Sequence, residues 1–131
     1  MKQTVAKELQ SQNFTTYYEP LDSPYRNLWW DCFRPDVLAV RYCNGDQKVV
    51  LVECETKPNK KRMLKKTAKI RRNLSLQKRL YKRAHIFPLL VIPPFNLSKV
   101  LCSEIRRFWD IWIVNRLGET RHKISRKMRA H

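Results

Sequence analysis

Three carboxylates and a lysine in the first half of the chain are residue types that metal-assisted hydrolysis uses. Asp36 follows Pro35 at the head of the apolar run VLAV, and Glu53 and Glu55 follow the run VVLV on the next segment. Side chains alternate along a strand, so Glu53, Glu55 and Lys57 share one face, and Asp36 reaches that face across a hairpin. Carboxylates gathered beside buried chain repel one another and are costly to strip of water. A chain with eleven Asp and Glu against twenty-eight Lys and Arg has little reason to place them there for solubility. Hard oxygens clustered in this way suit Mg²⁺ or Mn²⁺, which keep several waters and take one or two carboxylates plus a phosphate. The same residues allow a plainer reading, in which Glu53 or Glu55 pairs with a Lys or Arg of a helix at the strand's exposed end.

The elements that must position these groups can be read from the apolar spacing. Lys2 to Asn13 reads as an opening helix with Val5, Ala6 and Leu9 on one side. Phe14 to Tyr18 is aromatic and β-branched, hence a strand, and 19–30 carries the Pro, Asp and Ser of a loop. Val37 to Tyr42 and Lys48 to Thr56 pair about Asn44-Gly45-Asp46, and their long apolar runs imply burial on both faces. Asn59 is a candidate cap for a long helix reaching about Arg83, with Met63, Thr67, Ile70, Leu74, Gln77 and Tyr81 toward the sheet. Ile86 to Ile92 is a further buried strand closed by Pro93-Pro94. Asn96 opens a helix to Phe108 that buries Val100, Leu101, Ile105 and Phe108, and Ile111 to Val114 is the last strand. The expected order is α-β-β-β-α-β-α-β: an α/β domain over 1–117 with a mixed central sheet flanked by helices, followed by a basic tail at 118–131.

The charge is distributed as unevenly as the acids. The formal net charge is +17 and the pI near 10.2, an excess that repels itself and most often exists to meet a polyanion. From Thr56 to Ser103 there is no Asp or Glu, yet there are fourteen Lys and Arg. A solvated helix face ordinarily mixes both signs, because opposite charges at i,i+4 support it. Here Lys60, Lys61, Arg62, Lys65, Lys66, Lys69, Arg72 and the residues after them form a face suited to tracking phosphates. Trp29, Trp30 and Phe33, just ahead of the carboxylates, are either core or a platform for an exposed base.

The sequence RPDVLAV…VVLVECETK resembles the motif of the PD-(D/E)xK nucleases, and the element order resembles their restriction-endonuclease-like α-β-β-β-α-β core. Among them the look is nearest to small archaeal Holliday-junction resolvases. The resemblance implies a metal-dependent DNA endonuclease in which Asp36 and Glu53 hold Mg²⁺ or Mn²⁺, with Glu8 of the opening helix as a further ligand. It also implies that Gln77 and Tyr81, in QKRLY, resemble the Q-xxx-Y of exonuclease-like members, with Gln77 near the nucleic acid. The sequence departs from the motif where the family's lysine should stand, for that position is Glu55. Either the register shifts to Glu55-Thr56-Lys57, or Lys57 or a helix lysine such as Lys61 or Lys65 reaches back to the site. Catalysis would then draw on Asp36, Glu53, Glu55 and Lys57. The departure equally supports a catalytically inactive nuclease fold kept for binding DNA, and a basic RNA- or ribosome-associated protein is a third reading.

Other features bound the partners. Cys32, Cys43, Cys54 and Cys102 show no CxxC or CxxH spacing, which argues against structural zinc. The longest apolar stretch, Ile86 to Phe95, contains three prolines and is too short to span a bilayer. DNA in the cytoplasm is therefore the expected partner, and a nuclease of this size that cuts both strands at once would work as a homodimer.

Overall fold

A hairpin joined to two parallel crossovers builds the sheet. The computed structural model describes residues 1–18, 35–76, 83–94 and 102–126. Within them α1 (Lys2–Ser11) leads into β1 (Thr15–Tyr18), β2 (Val37–Cys43) and β3 (Asp46–Cys54). After α2 (Lys60–Leu76) come β4 (Ala84–Ile92), α3 (Ser103–Phe108), β5 (Asp110–Val114) and β6 (Thr120–Ile124). The six strands lie side by side in chain order. β1, β2 and β3 are successively antiparallel, β3, β4 and β5 are parallel, and β6 returns antiparallel to β5.

The expected mixed sheet with flanking helices is therefore present, and VVLV is buried on both faces as its composition implied. Val49 and Leu51 join Leu38, Val40, Leu90 and Ile92 under α2 and α3. Val50 and Val52 join Val37, Ala39, Leu89 and Val91 under α1, where Val5, Ala6 and Leu9 cover them. The β2–β3 register pairs Cys43 with Asp46, leaving a two-residue turn in which Asn44 and Gly45 have φ of 49° and 85°. Both values lie in the left-handed region that Asn-Gly tolerates best.

Asn59 caps α2: its Oδ1 accepts the Arg62 N–H at 3.1 Å. Met63, Thr67 and Ile70 are buried and Leu74 packs on the same core. Gln77 and Tyr81, the aromatic run before Asp36, and Asn96, Val100 and Leu101 lie outside the described residues. Two differences from the sequence reading stand out. The segment read as a tail holds β6, whose alternation of Thr120, His122 and Ile124 with Arg121 and Lys123 is hard to recognise because an edge strand exposes so much of itself. The core also depends on Trp109, fully buried between α3 and β5. Its Nε1–H donates to Thr67 Oγ1 at 2.8 Å, and that hydroxyl donates to Met63 O at 2.7 Å.

Thr67 thus ties α2 to the end of α3 through a buried polar contact. Thr67→Val keeps the shape but leaves the indole N–H unpaired, which costs about 1–3 kcal/mol. Urea unfolding should show a lower midpoint for this variant with an unchanged m-value.

Candidate active site and basic face

The hairpin end and the face of α2 converge on one pair of carboxylates. Asp36 N–H donates to Val52 O at 2.8 Å and Asp36 Oδ2 accepts the Cys54 N–H at 2.8 Å, so this side chain closes the β2–β3 ladder. Lys2, at the start of α1, stands 3.3 Å from Asp36 Oδ1. Strand pairing continues past Cys54, since Glu55 N–H donates to Val91 O at 2.9 Å. Glu53 and Glu55 both lie on the α2 side and are each only 7% exposed, too buried to remain as unneutralised charges.

Their counterion comes from α2. Lys66 Nζ donates to Glu53 Oε1 at 2.5 Å and to Glu55 Oε1. Arg62, one turn earlier, places Nη2 3.4 Å from the same Glu55 oxygen. The plainer sequence reading, a helix cation pairing with these glutamates, is thus part of the geometry. It also shows where an ammonium meets the motif. Lys57 is exposed, as are Lys61 and Lys65, and the group that reaches back is Lys66. The helical spacing narrows the choice without deciding it. Position 66 lies three residues after Met63 and four before Ile70, on the border of the buried stripe, where a lysine has a reason to point inward.

Burial raises the Glu53 carboxyl to about 7; the Lys66 hydrogen bond opposes the rise, while the charges of Asp36 and Glu55 add to it. Burial pulls Lys66 down, but its hydrogen bonds to Glu53 and Glu55 outweigh that and hold its ammonium above the ordinary lysine value. Burial, with the Asp36 charge beside it, pushes the Cys54 thiol up to about 12, so it is an inert packing group.

Glu53 Oε2 is buried and has no hydrogen-bond partner among the described residues. A buried carboxylate oxygen without a described partner, on a side chain that feels the charge of Asp36, fits a hard cation. Among the described residues no three His, Cys, Asp or Glu side chains converge on one point. The fit is accordingly to a two-carboxylate site, Asp36 with Glu53, completed by water and phosphate as Mg²⁺ prefers. Glu8 is engaged elsewhere: Thr120 Oγ1 donates to its Oε2 at 2.9 Å and Lys123 Nζ lies 2.6 Å from its Oε1. It joins α1 to β6.

Away from the carboxylates, α2 carries its charge outward. Lys60, Lys61, Lys65, Lys69 and Arg72 are exposed and form no ion pair with a described residue. Arg71 lies over the Phe108 ring at 5.1 Å. No helix among the described residues is long and apolar enough to cross a membrane. Comparison with protein-family models, curated proteins and solved structures found no match, so the reading of this site rests on its own geometry.

The raised Glu53 carboxyl has a consequence for stability. Between about pH 4.5 and 7 the folded state holds a proton that the unfolded chain has released, so this group's contribution falls as pH rises through that window. In metal-free buffer, Glu53→Gln should gain stability relative to the parent between pH 5 and pH 8, by as much as ~3 kcal/mol. Thermal melts of both proteins across that range check it, and a constant gap would contradict it.

Proposed function

We propose that the chain is a Mg²⁺- or Mn²⁺-dependent deoxyribonuclease of restriction-endonuclease-like fold, gripping the DNA backbone along α2 and hydrolysing a phosphodiester beside Asp36, Glu53 and Lys66. The observation that carries this reading is Lys66, whose ammonium reaches Glu53 at 2.5 Å from a helix that otherwise offers its cations to solvent. It supplies at the carboxylates the positive group that the motif lacks at Glu55. The α-β-β-β-α-β order and the placement of Asp36 and Glu53 at one end of neighbouring strands support the same reading.

In this mechanism Asp36 and Glu53 would hold the metal, Glu53 through the oxygen that has no hydrogen-bond partner among the described residues. When bound, such a cation would supply Lewis-acid chemistry at the phosphoryl oxygen and a water of lowered pKa. Lys66, kept charged by Glu55, stabilises the negative charge that develops on the phosphate. Glu55 orients the attacking water and is itself steadied by Arg62. The exposed cations of α2 position the backbone without reading bases. Cutting both strands at one place calls for two copies of the chain.

A second reading has its own support. Lys66 and Arg62 already pair with Glu53 and Glu55 without any metal, as they would in a binding module that does no chemistry.

Incubation with supercoiled, linear and branched DNA in Mg²⁺ or Mn²⁺ separates the two. Under the nuclease reading, Asp36→Ala, Glu53→Ala and Lys66→Met each slow cleavage by roughly 100-fold or more; cleavage that survives all three would refute the site. No cleavage on any substrate, with tight binding intact, favours the module. In either case Lys65→Ala, Lys69→Ala and Arg72→Ala should each weaken binding alike across sequences. Each should also lower the slope of log affinity against log salt by about one.

A further inference from the structure

The face of the sheet opposite α2 carries a second cationic surface. Arg41 of β2 pairs with Lys48 of β3, and Lys48 pairs with His85 of β4. Directly paired residues point to the same face, with Cβ atoms about 5 Å apart, so the three side chains stand in one row. The face is that of α1. Ala39, Val50 and Phe87, two residues further along the same strands, belong to or pack on the core that Val5, Ala6 and Leu9 cover. Glu53 points to the other face and lies roughly 17 Å further along β3 than Lys48. The row is therefore remote from the carboxylates and from the cations of α2.

Like charges set directly opposite one another weaken a sheet, and the surroundings add a further cation. Arg126 lies 5.2 Å over the ring of Phe87, and its N–H donates to Asp110 Oδ1 at 2.6 Å. Arg41 lies 4.8 Å over the ring of Phe14 and donates from Nη1 to Gln12 O at 3.0 Å. These contacts hold both guanidinium groups in place without cancelling their charge. Arg41, Lys48 and Arg126 form no ion pair with a described residue, and Asp46, 3.9 Å from His85, makes the one ion pair in the row.

The shape of this patch selects among polyanions. α1 ends at Ser11, and Arg41 bonds to the residue after it, so the patch is a step at the foot of a helix about 10 Å thick that stands on the same face. A flat membrane would meet the helix before it met the row. A phosphate backbone is a narrow ridge that can lie against the step, and guanidinium groups take phosphate oxygens with paired N–H bonds. We infer that Arg41, Lys48, His85 and Arg126 bind the backbone of a second DNA duplex, separate from the one that α2 takes. The two surfaces lie on opposite faces of one sheet, and a duplex is too stiff to turn from one to the other within a few helical turns. A single chain therefore joins two duplex segments. This goes beyond the proposed hydrolysis and holds whether or not the carboxylates cut; it rests on that reading only for α2 as the first DNA surface.

The test titrates the full chain in EDTA with a blunt duplex of about 12 base pairs, roughly 40 Å long, and counts the duplexes bound per chain by analytical ultracentrifugation. The wild type should carry two. Lys48→Gln combined with Arg126→Gln should carry one, and Lys48→Arg combined with Arg126→Lys, which keeps the charge, should carry two again. That recovery separates loss of charge from loss of fold. A duplex count in the double glutamine variant equal to that of the wild type would overturn the second surface. The same count accompanied by lost binding to phosphatidylserine vesicles would overturn it in favour of a membrane. Lys65→Ala, Lys69→Ala and Arg72→Ala together should also leave one duplex, held by the patch. If that triple variant binds as the wild type does while the glutamine variant loses a duplex, the α2 surface fails and the patch stands.

Discussion

Two carboxylates buried at the end of a strand need a counterion, and in this protein Lys66 of α2 bonds to both. Glu53 and Glu55 follow four apolar residues on β3 and lie under α2. Without Lys66 between them the two charges would repel each other in a poorly solvated place, at a cost that folding could not easily offset. With it, α2 has an electrostatic anchor at the carboxyl end of β3 in addition to its apolar stripe. Thr67, the next residue, supplies the neighbouring buried contact to Trp109. The position of the basic helix over the carboxylates, and hence any function they share, follows from this arrangement.

The same anchor explains why so cationic a helix can be stable. Opposite charges at i,i+4 ordinarily support an isolated helix, and α2 has no acid along its length. Its support is tertiary: Met63, Thr67 and Ile70 are buried, Asn59 caps the first turn, and Lys66 and Arg62 bond to β3. Lys60, Lys61, Lys65, Lys69 and Arg72 form no ion pair with a described residue. Self-repulsion along this face is a standing cost that a polyanion would relieve, releasing its own condensed cations to solvent.

Both halves of the candidate site sit at one end of the strands because β2 is antiparallel to β3 while β3, β4 and β5 run parallel. The start of β2, with Asp36, therefore meets the carboxyl ends of the others. The prolines after β4 and the turn after β5 lie at the carboxyl ends of these strands too, where with Thr56 they line a cleft.

Much of this was legible in the chain. The alternation and the apolar runs specified the two faces of the central strands, because a strand's side-chain period is two and a slip by one residue would turn the whole set over. Asn44-Gly45 specified the hairpin through φ values that few other residues tolerate, and Asn59 marked where α2 begins. Asp36, Glu53 and Glu55 were visible as acids in a chain that has few. What the sequence could not assign was the lysine. Lys57, Lys61, Lys65 and Lys66 are chemically alike and close in sequence, and only the rotation of α2 on its packed stripe decides which one points inward. The engagement of Glu8 with Thr120 and Lys123 was hidden for the same reason, since it needs an edge strand more than a hundred residues away. Local pattern determines elements and faces; the identity of a partner across two elements depends on how they dock, and that is set by packing.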